Sequence, residues 1–101
     1  MSVKVVVLYT RPEDPDAFDQ HYLTVHGPLV DKIPGLDHWD SGRFAAAADG
    51  GELEYYRFAN LVFTDQDTLQ AGLGSPEGQA AAADYQKIAP AGSRMYIAAV
   101  D

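Results

Sequence analysis

The segment Val3–Tyr9 constrains the fold of this 101-residue chain more than any other part of its sequence. It is a short run of apolar, mostly β-branched residues, which is typical of a strand buried in a sheet. Valine and tyrosine fill its odd positions, and Val6 and Leu8 make the even side apolar as well. A sheet covered by helices on one side needs only one apolar face, so the second apolar face predicts a partner sheet.

The sequence after this strand predicts a helix. Asp14 can cap its first turn, Pro15 suits the first helical position, and Asp16 complements the positive end of the helix dipole. Because Pro28 has no N–H to donate, we expect the helix to end near Gly27, with a short turn following through Lys32. Apolar residues recur on one face at steps of four, three and four. They are Phe18, Tyr22, Val25 and Leu29.

The rest of the chain predicts three further strands and an interrupted second helix. Thr64 with Asp67 resembles a capping box, Gly74 stops the first part of this helix, and Ser75 caps the second part. The order β-α-β-β-α-β predicts an α+β, ferredoxin-like fold with an antiparallel four-stranded sheet, in one domain over residues 1–101. The predicted strands after the first cover residues 36–45, 55–63 and 94–100.

Composition narrows the possible partners. Seven basic residues against fifteen acidic ones give a formal net charge of −8, which disfavours binding to nucleic acid and to anionic membranes. The chain has no cysteine, so disulfides, thiolate metal sites and thiol nucleophiles are absent. No apolar run is long enough to cross a bilayer. These features predict a soluble, cytoplasmic protein.

Several motifs resemble those of EthD-domain proteins, which belong to the dimeric α+β barrel superfamily. They are the run Phe18–Leu29 with His26 and Pro28, the turn Ile33-Pro34-Gly35-Leu36, and the helix start Ser75-Pro76-Glu77-Gly78. The resemblance covers nearly the whole chain and implies a homodimer whose two sheets pack face to face. Relatives in the superfamily include muconolactone-type isomerases, quinone-forming monooxygenases and polyketide cyclases. They hold a small molecule between the sheet and the helices, commonly without a metal or organic cofactor.

His26 is the strongest candidate for a catalytic residue. The predicted helix end would favour its protonated ring, whereas burial beside Tyr22 would favour the neutral ring. These opposing effects predict a histidine that titrates near neutrality, as a general acid or base requires. The alternative is that His26 only caps the last carbonyls of the helix.

Four aromatic or basic residues are candidate substrate-binding groups. Tyr22 and Tyr9 are expected to border the same cavity as His26. On the third strand the odd residues are expected to face the helices, which would aim Arg57 at this cavity, where a cation could hold a carboxylate or an enolate. Trp39 could stack on an aromatic ligand. The alternatives are an arginine at the rim paired with an acid, and a tryptophan that is part of the core.

The other two histidines and Asp84 are weaker candidates. His21 lies on the far flank of the helix, so an exposed or interface position is expected. His38 points away from the face that carries Trp39. Asp84 could orient a histidine, but a solvated helix acid is the simpler interpretation. His21 and His26 are five residues apart and diverge on an α-helix, so no metal site is expected.

Three functions fit this sequence. The first is a cofactor-free enzyme that transfers protons, as an isomerase or cyclase does, on a small hydrophobic carbonyl, lactone or phenolic compound. The second is a non-catalytic protein that binds or delivers an apolar metabolite of a degradation pathway. The third is a purely structural dimer, for which a solidly packed interior is expected.

Overall fold

The structure, a computed structural model describing residues 1–101, is one four-stranded antiparallel sheet with helices on one face. The strand order β2-β3-β1-β4 confirms the predicted ferredoxin-like α+β fold. None of its helices combines the length and the apolar character that crossing a membrane requires. The elements are β1 (Val3–Tyr9), α1 (Pro15–His21), a π-helical segment (Tyr22–His26), α2 (Gly27–Asp31), β2 (Leu36–Arg43), β3 (Arg57–Phe63), α3 (Gln66–Gly74), α4 (Pro76–Ile88) and β4 (Arg94–Ala99).

The odd-numbered residues of the two central strands form the inner face of the sheet. Val5 lies opposite Leu61, and Tyr9 lies opposite Arg57, so the buried sides of β1 and β3 coincide. Side chains from the helices complete this core, including Phe18. The prediction that the odd residues of β3 face the helices is confirmed by their burial.

The outer face of the sheet is also apolar, as the sequence of β1 predicts. Its even-numbered side chains remain half-buried or exposed, and Tyr96 on the edge strand β4 is 54% exposed. The apolar residues that share this face are Val6, Leu8, Phe58, Val62 and Tyr96.

The expected end of the first helix at Gly27 is wrong. Helical backbone continues to Asp31, because a π-helical segment lies between α1 and α2. In this segment the Gly27 N–H donates to the carbonyl of Tyr22, five residues earlier. This wider turn changes the hydrogen-bond register just before Pro28, whose missing N–H would otherwise interrupt an α-helix.

The π-helical segment also changes which residues are buried. The predicted stripe holds for Phe18 and Tyr22, but Val25 is 42% exposed. His26 and Val30 are buried in place of Val25 and Leu29. The wider turn therefore rotates a histidine, instead of a valine, toward the core.

The helix starts follow local capping chemistry. The side chains of Asp14 and Ser75 accept hydrogen bonds from the first turns of α1 and α4, as predicted. For α3 the expected cap at Thr64 is wrong, because Asp65 accepts the backbone N–H of Thr68 at 2.8 Å.

Candidate functional site

The candidate site is a cavity of about 120 Å³ between the inner face of the sheet and the helices. Twelve of its fourteen lining residues are hydrophobic. Tyr9 on β1, together with Tyr22 and His26 on the π-helical segment, contributes to the wall, and α4 closes another side with Tyr85. His26 is the only histidine in this lining, and histidine is the residue type whose ordinary pKa lies near neutrality.

His26 is held by Asp84 of α4. Its Nδ1 lies 2.9 Å from Oδ2 of Asp84, and the two residues are only 5% and 9% exposed. A carboxylate accepts hydrogen bonds, so Nδ1 carries the ring proton and Nε2 carries the lone pair. Nε2 has no hydrogen bond within the chain and is not enclosed, so it can face a ligand in the cavity.

The same carboxylate also binds His21. Nε2 of His21 lies 2.9 Å from Oδ1 and 3.1 Å from Oδ2 of Asp84. The His21 side chain is 31% exposed, so it lies between the buried carboxylate and solvent. His21, Asp84 and His26 therefore form one hydrogen-bonded cluster. The sequence analysis named Asp84 as a group that could orient a histidine, but its simpler interpretation of Asp84 as a solvated acid is wrong. It did not predict the contact between His21 and Asp84.

The π-helical segment explains why these histidines converge. On an α-helix, residues five apart point about 140° away from each other. A π-turn closes between residues five apart and brings them onto nearly the same face. His21 directly precedes the turn from Tyr22 to Gly27 and His26 is the last residue before its end, and both side chains reach one acid on α4.

Burial and hydrogen bonding set the charges in this cluster. Burial lowers the pKa of His26, although the hydrogen bond and the negative charge of Asp84 oppose this effect. For Asp84, burial opposes ionisation, but the hydrogen bonds from His21 and His26 outweigh it and lower its pKa. At neutral pH the favoured state is a neutral His26 beside an ionised Asp84, which leaves Nε2 free to act as a base.

Two buried tyrosine hydroxyls lie near this cluster. Burial raises the pKa of both Tyr9 and Tyr22, so both are protonated at neutral pH. The Tyr22 hydroxyl is enclosed and has no hydrogen-bond partner. Ser41 and Tyr9 approach it and partly offset the effect of its burial, but neither forms a hydrogen bond of good geometry with it. The Tyr9 hydroxyl makes no hydrogen bond either, but it is not fully enclosed.

Arg57 is buried beneath the helices, as predicted, but it does not line the cavity. Its Nε donates to Oδ1 of Asp19 at 3.2 Å, and its guanidinium carbon lies 4.5 Å from the centre of the Tyr22 ring. Asp19 is bound by the Tyr56 hydroxyl as well. The cation that the sequence assigns to substrate is thus paired with an acid and stacked on an aromatic ring.

Trp39 and His38 also lie outside the cavity. Trp39 packs against the edge of the core, and its indole N–H donates to Asp31 at 2.7 Å. His38 is exposed and pairs with Asp37. No three histidine, aspartate or glutamate side chains are arranged so that they could hold a metal ion.

The fold and the cavity together define a small ferredoxin-like protein with one histidine-bearing apolar site. The EthD domain model matches residues 10–90. An uncharacterised 11.0 kDa protein in the thcB–thcC intergenic region of Rhodococcus erythropolis is 38% identical over 92 residues, 91% of this chain and 88% of that protein. The chain belongs to the EthD family.

Solved structures share this fold. An ethyl tert-butyl ether D family protein from Bacillus halodurans C-125 is 35% identical, with full coverage of both chains and a TM-score of 0.93. Hydroxynitrile lyase from Passiflora edulis is 12% identical over 99% of this chain and 94% of that one, with a TM-score of 0.80. SnoaB, a cofactor-independent oxygenase from Streptomyces nogalater, is 18% identical over 98% of this chain and 92% of that one, with a TM-score of 0.70. The last two likenesses show the fold alone.

Proposed function

We propose that this protein is a cofactor-independent enzyme that transfers a proton on a small hydrophobic carbonyl, lactone or phenolic compound, in the manner of an isomerase or cyclase. One observation carries the proposal. His26 lines an apolar cavity with Nδ1 held by Asp84 and Nε2 unpaired. An oriented, neutral imidazole next to a largely apolar cavity is suited to general acid–base catalysis.

In this mechanism Nε2 of His26 takes a proton from the substrate and later returns it at another position. Asp84 is a positioning residue, because it fixes the tautomer of His26 and stabilises the imidazolium that forms. The Tyr9 hydroxyl, which stays protonated, donates a hydrogen bond to the developing oxyanion. The ring of Tyr22 supports the substrate from the side.

The proposed enzyme is a cytoplasmic homodimer. The apolar outer face of the sheet supports this assembly, since leaving this second apolar face of β1 uncovered is costly in a monomer. A second sheet packed on this face would cover Val6, Leu8 and Phe58. The absence of cysteine agrees with a reducing compartment.

Proton exchange on a simple ketone tests the proposal. Cyclopentanone is compact enough for the cavity, and loss of its α-proton signal in deuterium oxide reports proton abstraction directly. We expect the protein to accelerate this exchange. In His26→Gln the rate enhancement should be at least about 100-fold smaller, since a general base contributes about 10² to 10⁴ to the rate. His38→Gln changes an exposed histidine and serves as the matched control.

If His26→Gln is folded and exchanges the ketone as fast as the wild type, the proposal is wrong. The alternative function is non-catalytic binding of an apolar metabolite, which the hydrophobic lining of the cavity favours. That function predicts saturable binding of the ketone with no exchange above the buffer rate. Quenching of Trp39 is a poor reporter of this binding, because Trp39 does not line the cavity. A purely structural role does not account for the cavity.

A further inference from the structure

We infer that the cavity selects an uncharged, compact molecule with one oxygen that accepts a hydrogen bond from Tyr9, and that it rejects carboxylates. This inference rests on the proposed function, which assigns the cavity as the substrate site. It adds the charge, the size and the polar contact of the ligand.

The size follows from the volume. A cavity of about 120 Å³ is slightly smaller than the engineered cavities of about 150 Å³ that bind benzene. A single five- or six-membered ring with one small substituent matches this space. Fused-ring compounds are larger than this volume.

The charge follows from the surroundings of the cavity. The nearest buried cation is Arg57, which is already bound to Asp19 and stacked on Tyr22. The wall itself carries no cation, His26 is favoured in its neutral form, and its partner Asp84 is an anion. A carboxylate in this cavity would lose its hydration and find no opposite charge, which is strongly unfavourable.

The polar contact follows from the tyrosine hydroxyls. A buried hydroxyl without a hydrogen bond costs about 1–3 kcal/mol. The Tyr9 hydroxyl makes no hydrogen bond within the chain. Tyr9 as a whole is only 1% exposed, but its hydroxyl oxygen is not fully enclosed. Because Tyr9 lines the cavity, a ligand oxygen that reaches its hydroxyl can accept a hydrogen bond from it. The Tyr22 hydroxyl is enclosed and cannot make this contact without moving.

A set of three ligands and one variant tests the inference. Cyclopentanone and methylenecyclopentane have nearly the same shape, but only the ketone accepts a hydrogen bond. Cyclopentanecarboxylate adds a negative charge. Their dissociation constants are measured by NMR titration of the protein, for the wild type and for Tyr9→Phe, with Tyr96→Phe on the exposed outer face as the matched control.

Tyr9→Phe is expected to weaken binding of the ketone about tenfold, because one neutral hydrogen bond is lost, and to leave binding of the hydrocarbon unchanged. Tyr96→Phe should change neither, and the carboxylate should not bind the wild type measurably. Equal effects of Tyr9→Phe on ketone and hydrocarbon, carboxylate binding as tight as that of the ketone, or no ketone binding at all would each overturn the inference. None of these binding results depends on turnover, so the His26 exchange assay fails or succeeds separately.

Discussion

Removing the Asp84 carboxylate is the most informative test of how the site is held together. Asp84→Ala leaves the buried N–H of His26 without its partner and removes both contacts of His21 to this carboxylate. A hydrogen bond to a charged group contributes about 1.5–3 kcal/mol. The His26 side chain is only 7% exposed, so the variant loses the full energy of its hydrogen bond. The His21 side chain is 31% exposed, so water replaces much of its contact with Asp84.

We therefore expect Asp84→Ala to lower the free energy of unfolding by about 2 kcal/mol, since relief of the buried charge offsets part of the loss. In a domain of this size that corresponds to a fall in Tm of about 8–16 °C. Circular dichroism melting at neutral pH and fixed protein concentration measures it. Asp37→Ala is the matched control, because Asp37 pairs with the exposed His38.

The pH dependence gives a second check on the same variant. The folded-state pKa of Asp84 is lowered, so its stabilisation is complete above the unfolded value of about 3.9 and is lost as pH falls through the folded value. The gap between wild type and Asp84→Ala should close in strong acid. A fall in Tm no larger than that of Asp37→Ala at neutral pH would refute this account of the cluster.

Three further predictions concern pH, packing and assembly. Burial lowers the pKa of His26 in the folded state, so below about pH 6.5 the unfolded state binds more protons than the folded state. Urea denaturation should therefore show that the free energy of unfolding decreases as the pH falls below this value. The decrease should be smaller in His26→Gln. Gly78→Ala should cost about 1–3 kcal/mol, because its Cβ would lie 2.1 Å from the carbonyl of Gly72, whereas Gly74→Ala has open space and should cost little. Sedimentation should give a dimer at micromolar concentration, and a folded monomer would contradict the proposed assembly.

The fold was predictable because its signals are local. The two apolar faces of β1, the Asp14 and Ser75 caps, and the turn residues between elements each act within a few positions of the chain. Strand order then follows from the β-α-β-β-α-β succession. The boundaries of β2 and β3 differ by about two residues from the expected ones, which is ordinary for strand ends.

The site was only partly predictable because its contacts are long-range. Alternation along β1 placed Tyr9 on the inner face, but helix periodicity placed Val25 instead of His26 in the buried stripe, and Asp84 is 58 residues away from His26 in the chain. The π-turn that brings His21 to the same acid has one sequence signal, the Gly27-Pro28 pair inside a helical pattern. That pair predicts either a helix end or a wider turn, and tertiary packing decides between them.

Arg57 illustrates a different limit. Alternation along β3 gives the correct face of the sheet, yet it does not identify the partner of a charged side chain. Asp19 on α1 forms an ion pair with the guanidinium, which therefore does not line the cavity. The direction of a side chain was thus accessible from the sequence, whereas the competition among its possible partners was decided only in three dimensions.

The proposed catalysis depends on the protonation state of the His26 ring, which an NMR titration of the three histidine rings in the intact protein measures. We expect a neutral His26 at neutral pH, protonated on Nδ1, with a pKa below the ordinary value of 6.5. A His26 ring that carries its proton on Nε2, or that titrates at or above 6.5, would contradict the account.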